Sequence, residues 1–208
     1  MQRVPPNPAV QRLSLYLRRL EQLAADGTET VSSNQLAASL HRTAAQVRKD
    51  LGYFGQFGRP GVGYRVGALM EALRHALGTD RTWEAVVVGV GDLGRALLRF
   101  KGFPTRGFQF VGAFDISAAK IGKQFGPVRV QHIDEMPAVV RRHDVRLAVL
   151  AVPPEAAQDV ADRVCAAGVR GILNFAPSPI DVPPRVAVCP VDLAASLEQL
   201  SFQVSAMR

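Results

Sequence analysis

The sequence predicts an α/β protein in two parts, a winged helix-turn-helix unit over residues 1–80 and a doubly wound parallel sheet over 81–190, closed by a terminal helix over 191–208. Three observations predict it. Two short helix-start signals, at Ser32 and Thr43, stand close together and lead into a Gly-rich segment with alternating apolar residues. From Trp83 onward, short apolar runs alternate with segments of helical periodicity. The first of those runs ends directly in a GxGxxG segment, Gly89 to Gly94.

Composition narrows the classes. With 208 residues, 48% hydrophobic and 21% charged, the chain reads as globular, long enough for one large domain or two small ones. No uncharged apolar run reaches the ~18 residues of a membrane span. Arg3, Arg12, Arg18 and Arg19 occupy the first twenty residues without an apolar stretch, unlike a secretory leader. Cys165 and Cys189 form no CxxC and have no His at ligand spacing, which argues against a disulfide framework or a metal site. Such a chain suits a reducing, cytoplasmic setting. The net charge is +7, and residues 41–65 alone hold five basic residues against one acidic, Asp50. That local +4 points to a polyanionic partner.

Taken in order, Asn7-Pro8 supplies a cap and a first-turn proline for a helix whose Val10, Leu13, Leu17, Leu20 and Ala24 share one face, with Gly27 as its stop. Ser32 and Gln35 make a capping box, with Val31 and Leu36 as its hydrophobic staple. Thr43 and Gln46 repeat the spacing and open a helix with Val47, Leu51 and Phe54 inward. The two helices, about 33–40 and 44–54, have helix-turn-helix spacing. Gly55 to Val66 reads as a hairpin or wing with Arg59 near its tip, and a helix over about 67–77 closes on Gly78. Residues 78–82 are the expected boundary. Beyond it, strands are expected at 84–88, 109–115, 147–152, 172–175 and 186–189, and helices at 92–100, 154–167 and 192–206.

Gly89-Val90-Gly91-Asp92-Leu93-Gly94 follows the apolar strand and opens a helix, the context of a Rossmann dinucleotide loop. Gly89 permits the tight turn, Gly91 admits a pyrophosphate to the backbone, and Gly94 lets helix pack on strand. Asp115 ends the next strand 21 positions after Gly94, close to the ~20 expected for the acid that bonds the adenosine ribose. A carboxylate there repels a 2′-phosphate, so NAD+/NADH is expected over NADP(H). Val152-Pro153 and Asn174-Phe175-Ala176-Pro177 end two later strands, where open α/β sheets bind ligands, and are expected to line the nicotinamide half. In the helical part Gln46, Arg48 and Lys49 lie opposite the apolar stripe. Arg pairs with guanine edges, Gln with adenine and Lys with phosphates, while Arg59 suits a groove or backbone contact. The ordinary alternative is a solvated helix face; the helix pair, the wing and the localised charge favour double-stranded DNA.

Together these residues resemble the Rex family of redox-sensing transcriptional repressors. The resemblance runs over nearly the whole chain through Gln46-Val47-Arg48-Lys49-Asp50-Leu51, Tyr53-Phe54-Gly55, Gly61-Val62-Gly63-Tyr64, Val88 to Gly94, Phe114-Asp115, Val152-Pro153, Glu155-Ala156-Ala157, Gly171 to Pro177 and Val191-Asp192. It implies DNA contacts at Thr43, Gln46, Arg48, Lys49, Tyr53, Arg59 and Gly61. It also implies a homodimer whose terminal helix swaps into the partner's nucleotide domain, and a palindromic operator released when NADH binds. In the family an Arg of the first helix pairs with an Asp of the swapped helix, and Arg18 and Asp192 match those positions. A Tyr near the end of the glycine-loop helix commonly joins them. Phe100 stands there in this chain and lacks the hydroxyl, and Leu193 replaces an aromatic of some members.

Two other readings remain open at this level. An NAD-dependent dehydrogenase needs an acid/base group, but there is no Tyr-x-x-x-Lys, and His41, His75, His132 and His143 have no evident carboxylate partner in the sequence. A CoA- or nucleotide-binding module with a helical cap that does not bind DNA is the second.

Overall fold

The computed structural model describes residues 5–59 and 62–207, without the side chain of Arg59. The chain divides into two compact units, Met1–Arg81 and Thr82–Arg208.

The first unit contains α1 (Asn7–Ala25), β1 (Thr30–Val31), α2 (Ser33–Ala38), α3 (Ala44–Gly52), β2 (Gly58–Arg59), β3 (Gly63–Arg65) and α4 (Val66–Ala76). Pro6, not Asn7, occupies the cap of α1, and no side chain caps that helix. At α2 the full reciprocal box forms: Ser32 Oγ accepts from Gln35 N at 3.1 Å, and Gln35 Oε1 accepts from Ser32 N at 2.8 Å. At α3 only half of the expected box forms. Thr43 Oγ1 accepts from Gln46 N at 3.2 Å, but the Gln46 side chain turns to Asp50 instead. The three strands form an antiparallel sheet in the order β1-β3-β2; β1, two residues long, was too short to leave a periodic signal. Leu13, Leu20, Leu36, Val47 and Leu51 fill the core, as predicted, together with Leu69 and Leu73 of α4, whereas Phe54 is only partly buried and Ala24, at the end of α1, is exposed.

The connection between α1 and α3 is polar. Asp50, fully buried, receives both Arg12 Nε at 2.5 Å and Arg12 Nη2 at 2.8 Å, the Tyr16 hydroxyl at 2.7 Å and Gln46 Nε2 at 2.7 Å. Burial pulls the Asp50 pKa upward, but the hydrogen bonds from Arg12, Tyr16 and Gln46 and the Arg12 charge outweigh it and hold the carboxyl below its ordinary value. The Tyr16 hydroxyl is pushed up, by burial first and by its hydrogen bond to Asp50 second.

In the second unit the order is β4 (Trp83–Val88), α5 (Asp92–Arg99), β5 (Phe108–Asp115), β6 (Gln124–Phe125), β7 (Val128–His132), α6 (Met136–Arg142), β8 (Leu147–Leu150), α7 (Ala157–Ala167), β9 (Gly171–Asn174), β10 (Ala187–Pro190) and α8 (Leu193–Ser205). The sheet runs β10-β9-β8-β4-β5-β7-β6, parallel throughout except for β6. The crossover point lies between β4 and β8, the doubly wound arrangement. Residues 116–146, which carried no strong periodicity, form the β6–β7 hairpin and α6. One face of the sheet packs Val86, Val88, Phe114 and Leu150 against Met136, Val140, Ala161 and Val164 of α6 and α7. The other packs Val87, Ala113, Val130 and Val149 against Leu98 of α5. The terminal helix α8 is capped by Asp192, whose Oδ1 accepts from Ala195 N at 2.9 Å, yet none of its residues is buried. Leu197 is 67% exposed and Phe202 75%. Among the described residues no helix is long and apolar enough to cross a membrane.

Replacing Asp50 with Ala strands a guanidinium and a buried hydroxyl, so Asp50→Ala is expected to destabilise the first unit by roughly 2–4 kcal/mol in urea denaturation. The Asp50 pKa is depressed in the folded state. Its contribution is therefore present above the unfolded carboxylate value, ~4, and is lost as pH falls below it; the variant should show less of this acid sensitivity than the parent.

Candidate functional site

A cavity of about 730 Å³ opens at the carboxyl ends of β4, β5 and β8. Its floor is the glycine loop. Gly89 has φ +93, and a Cβ there would stand 2.3 Å from Ala151 O at the end of β8. At Gly94 a Cβ would stand 2.0 Å from Gly89 O, so α5 lies against the loop with no room for any side chain. A Cβ on Gly91 would meet nothing within 4 Å: that glycine faces open space at the start of α5. The helix's free N–H groups and positive dipole end therefore border a gap with backbone on one side only, the cradle an anionic pyrophosphate fits.

Asp115 closes the far side. Its Oδ2 accepts from Val90 N at 2.8 Å and from Lys120 Nζ at 2.9 Å, and its Oδ1 accepts from Ser117 N at 2.9 Å. Burial raises the carboxyl's pKa, but the Lys120 and backbone hydrogen bonds outweigh it and keep it below the usual value. Of the residues predicted here, Gly89, Gly91, Asp92, Leu93, Asp115, Val152 and Pro153 line the cavity. Val90 is buried beneath the loop and Gly94 packs on Gly89, so both shape it from behind. Lys120, His132, Asp134 and Arg163 also line it and were missed; they sit in or beyond the segment whose elements the periodicity did not disclose. Arg163 Nη1 pairs with Asp134 Oδ1 at 2.9 Å across that rim.

Asn174 to Pro177 are not among the cavity walls. Asn174 is buried and spent internally: Nδ2 donates to Ser178 O at 3.0 Å and Oδ1 accepts from Ala176 N at 3.0 Å. It organises the turn after β9, and Phe175 packs against the cluster that holds Val87 of the sheet and Leu98 of α5.

In the first unit Arg48 and Lys49 are exposed on α3, opposite buried Val47 and Leu51. Arg48 Nη1 donates to Ser33 Oγ at 3.0 Å, which joins α3 to the start of α2. Thr43 is engaged as the cap and Gln46 in holding Asp50, so neither side chain is idle on the helix face. Tyr53 is partly buried at the end of α3. Arg59 ends β2, opposite Gly63, and Gly61 lies outside the described residues. A groove of about 620 Å³ between α3 and the hairpin is bordered by Arg48, Leu51, Phe57 and Tyr64.

Of the three positions that the resemblance singles out, Arg18 is exposed on α1 and Asp192 caps α8. Phe100 ends α5, 58% exposed, and meets Phe103 edge-on at 5.1 Å, which in turn meets Phe110 at 5.3 Å. An aromatic chain thus runs from Phe100 through Phe103 to Phe110.

A cationic reading helix in one unit and a dinucleotide-type cradle in the other define a ligand-responsive DNA-binding regulator. Comparison with known proteins specifies the kind. Residues 80–178 match the family model described as CoA binding domain, and residues 4–52 match that of a putative DNA-binding protein N-terminus. The redox-sensing transcriptional repressor Rex of Carboxydothermus hydrogenoformans is 49% identical over 199 residues, 96% of each chain. A crystal structure of RSP with β-NAD+ and operator DNA aligns with a TM-score of 0.93 at 33% identity, covering 98% of this chain and 94% of that one. RSP with β-NADH aligns at 0.88 and 32% identity, covering 97% and 95%. The chain belongs to the Rex family of redox-sensing transcriptional repressors; its relatives carry the name of repressors, not of enzymes.

The two glycines of the loop make opposite predictions for folding. Gly94→Ala should lower the second unit's stability by about 1–3 kcal/mol, because backbone must move to admit the methyl group. Gly91→Ala, facing open space, should leave the thermal midpoint unchanged; equal losses in the two variants would contradict this geometry.

Proposed function

We propose that this chain represses transcription by binding a palindromic operator as a homodimer and releases it when NADH replaces NAD+. The observation that carries the reading is the cradle: an open Gly91 at the start of α5, backed by Gly89 and Gly94, faces Asp115 across one cavity. Residues 1–80 serve as the DNA-binding domain, 81–190 as the NAD(H) domain and 191–208 as the swapped dimerisation helix.

Gly89, Val90, Gly91, Asp92, Leu93 and Gly94 receive the pyrophosphate, and Asp115 takes the adenosine ribose, its charge disfavouring a 2′-phosphate. Val152 and Pro153 flank the site. Asn174, Phe175, Ala176 and Pro177 act on the nicotinamide side through the turn they build. NAD+ and NADH differ by a hydride and a ring charge, so discrimination must arise from unequal affinity in the nicotinamide half of the cavity.

Arg48 and Lys49 meet bases and phosphates, with Tyr53, Arg59 and Gly61 at the edge of the contact. Thr43 and Gln46 contribute by fixing α3. Two such readers must stand one or more helical turns apart, ~34–36 Å each, so a change in their mutual orientation ends binding. Arg18 and Asp192 are the pair that links the ends of two chains. Phe100 contributes ring packing there in place of a hydroxyl. Dimerisation accounts for α8, a capped helix with Leu193, Leu197, Leu200 and Phe202 all exposed. A repressor of transcription works where its DNA is, in the cytoplasm.

A palindromic duplex selected by this protein from a randomised pool, followed by fluorescence anisotropy, tests the whole reading. NADH added at fixed NAD+ should release the duplex, and Gly91→Ala should require about tenfold or more NADH for half-release. Retention of the duplex at every NADH/NAD+ ratio would overturn the proposal. Deleting residues from Asp192 onward should yield monomers in sedimentation velocity, and a persistent dimer would refute the role given to α8.

A further inference from the structure

Charge in the second unit is segregated. Residues 93–133 hold seven basic side chains and one acidic one, whereas 134–207 hold six basic and nine acidic. The single acid of the first stretch, Asp115, is buried and paired with Lys120 at 2.9 Å. Arg95, Arg99, Lys101, Lys123 and Arg129 belong to the same stretch of sequence, which holds no other carboxylate.

These cations are brought together by packing. Arg95 and Arg99 both hold their guanidinium carbons 5.8 Å from the centre of the Phe125 ring in β6. The hairpin turn rests on the end of α5, since a Cβ on Gly126 would stand 2.2 Å from Leu98 O. Arg129 lies opposite Gln124 in the hairpin, and Lys123 immediately precedes β6. Arg99, Lys101, Lys123 and Arg129 are exposed, and β6 is the last strand of its sheet. Arg95 is the exception in charge, because it pairs with Asp92 at the start of α5.

A solvated surface interleaves both signs; apart from the Arg95–Asp92 pair, this edge carries one. Guanidinium groups laid on a ring are already ordered, which lowers the entropic cost of contacting a phosphate. The phosphates are not those of a dinucleotide, because none of Arg95, Arg99, Lys101, Lys123 and Arg129 lines the cavity. We propose that the α5 and β6–β7 edge is a second, sequence-independent binding surface for the phosphate backbone of duplex DNA, acting beyond the base pairs that α3 reads. The inference rests on the first unit binding DNA, which holds the duplex at high effective concentration for a weak second contact.

The test compares the selected palindromic duplex with flanks of about two base pairs and with flanks longer by about one helical turn, ~10 base pairs. Binding is measured against salt for the parent and for the Arg99→Gln, Lys123→Gln, Arg129→Gln triple variant. Each phosphate contact adds ~0.9 to the slope of log affinity against log salt. The parent should show the steeper slope on the longer duplex. The variant should bind the short duplex and NADH as the parent does, and should lose about 2–3 in slope per engaged protomer on the long one. Identical slopes for parent and variant on the long duplex would overturn the proposal. Failure of the parent to bind any duplex would instead overturn the repressor reading, and this inference with it.

Discussion

Where β4 ends, three stretches of backbone converge on Gly89: the end of β8 from one side, the first turn of α5 from the other, and the end of β5 behind, where Phe114 O accepts from Gly89 N at 2.8 Å. No residue with a side chain fits at that meeting point. The consequence is geometric. Because α5 can lie so near the sheet, its N-terminus opens into a cavity whose wall is backbone, and backbone amides are the groups that recognise phosphate without needing charge. The parallel order of β8, β4 and β5 then brings Val152, Pro153 and Asp115 to the same rim.

The first unit is held by a different kind of contact. Asp50 gathers donors from α1 and from its own helix, so α3 is tied to α1 by charge as well as by the leucine core. A purely apolar interface tolerates small rotations. A two-pronged guanidinium–carboxylate pair fixes orientation more closely, and orientation is what a groove-reading helix must keep. Gln46, which a helical-wheel argument sends outward, is consumed in that task and Thr43 in capping, leaving Arg48 and Lys49 as exposed basic side chains of α3.

Local signals in the sequence proved readable where their physics is local. The Ser32 box, the strand before Gly89 and the glycine loop each involve neighbours within a few residues, and all appear in the structure. Asp50 was legible only as one acid among basic residues, because its partners Arg12 and Tyr16 lie 38 and 34 positions away. Lys120, His132 and Asp134 escaped notice for a related reason: only the folding of short strands β6 and β7 against β5 brings them to the rim beside Asp115. Asn174 misled in the other direction. Its place at the end of a strand suggested a ligand contact, but a buried amide satisfies its own turn before it serves anything else.

Asp115 illustrates how one carboxylate constrains what the protein can become. Its oxygens already accept the Val90 amide, the Ser117 amide and the Lys120 ammonium, so it is a strut of the loop as well as a prospective ribose ligand. The simplest evolutionary route toward a phosphorylated dinucleotide removes that acid. Here the same step would release the loop amide and leave Lys120 without its counter-charge. A change of cofactor preference through this position would therefore carry a cost in the stability of the loop, which compensating substitutions would have to offset.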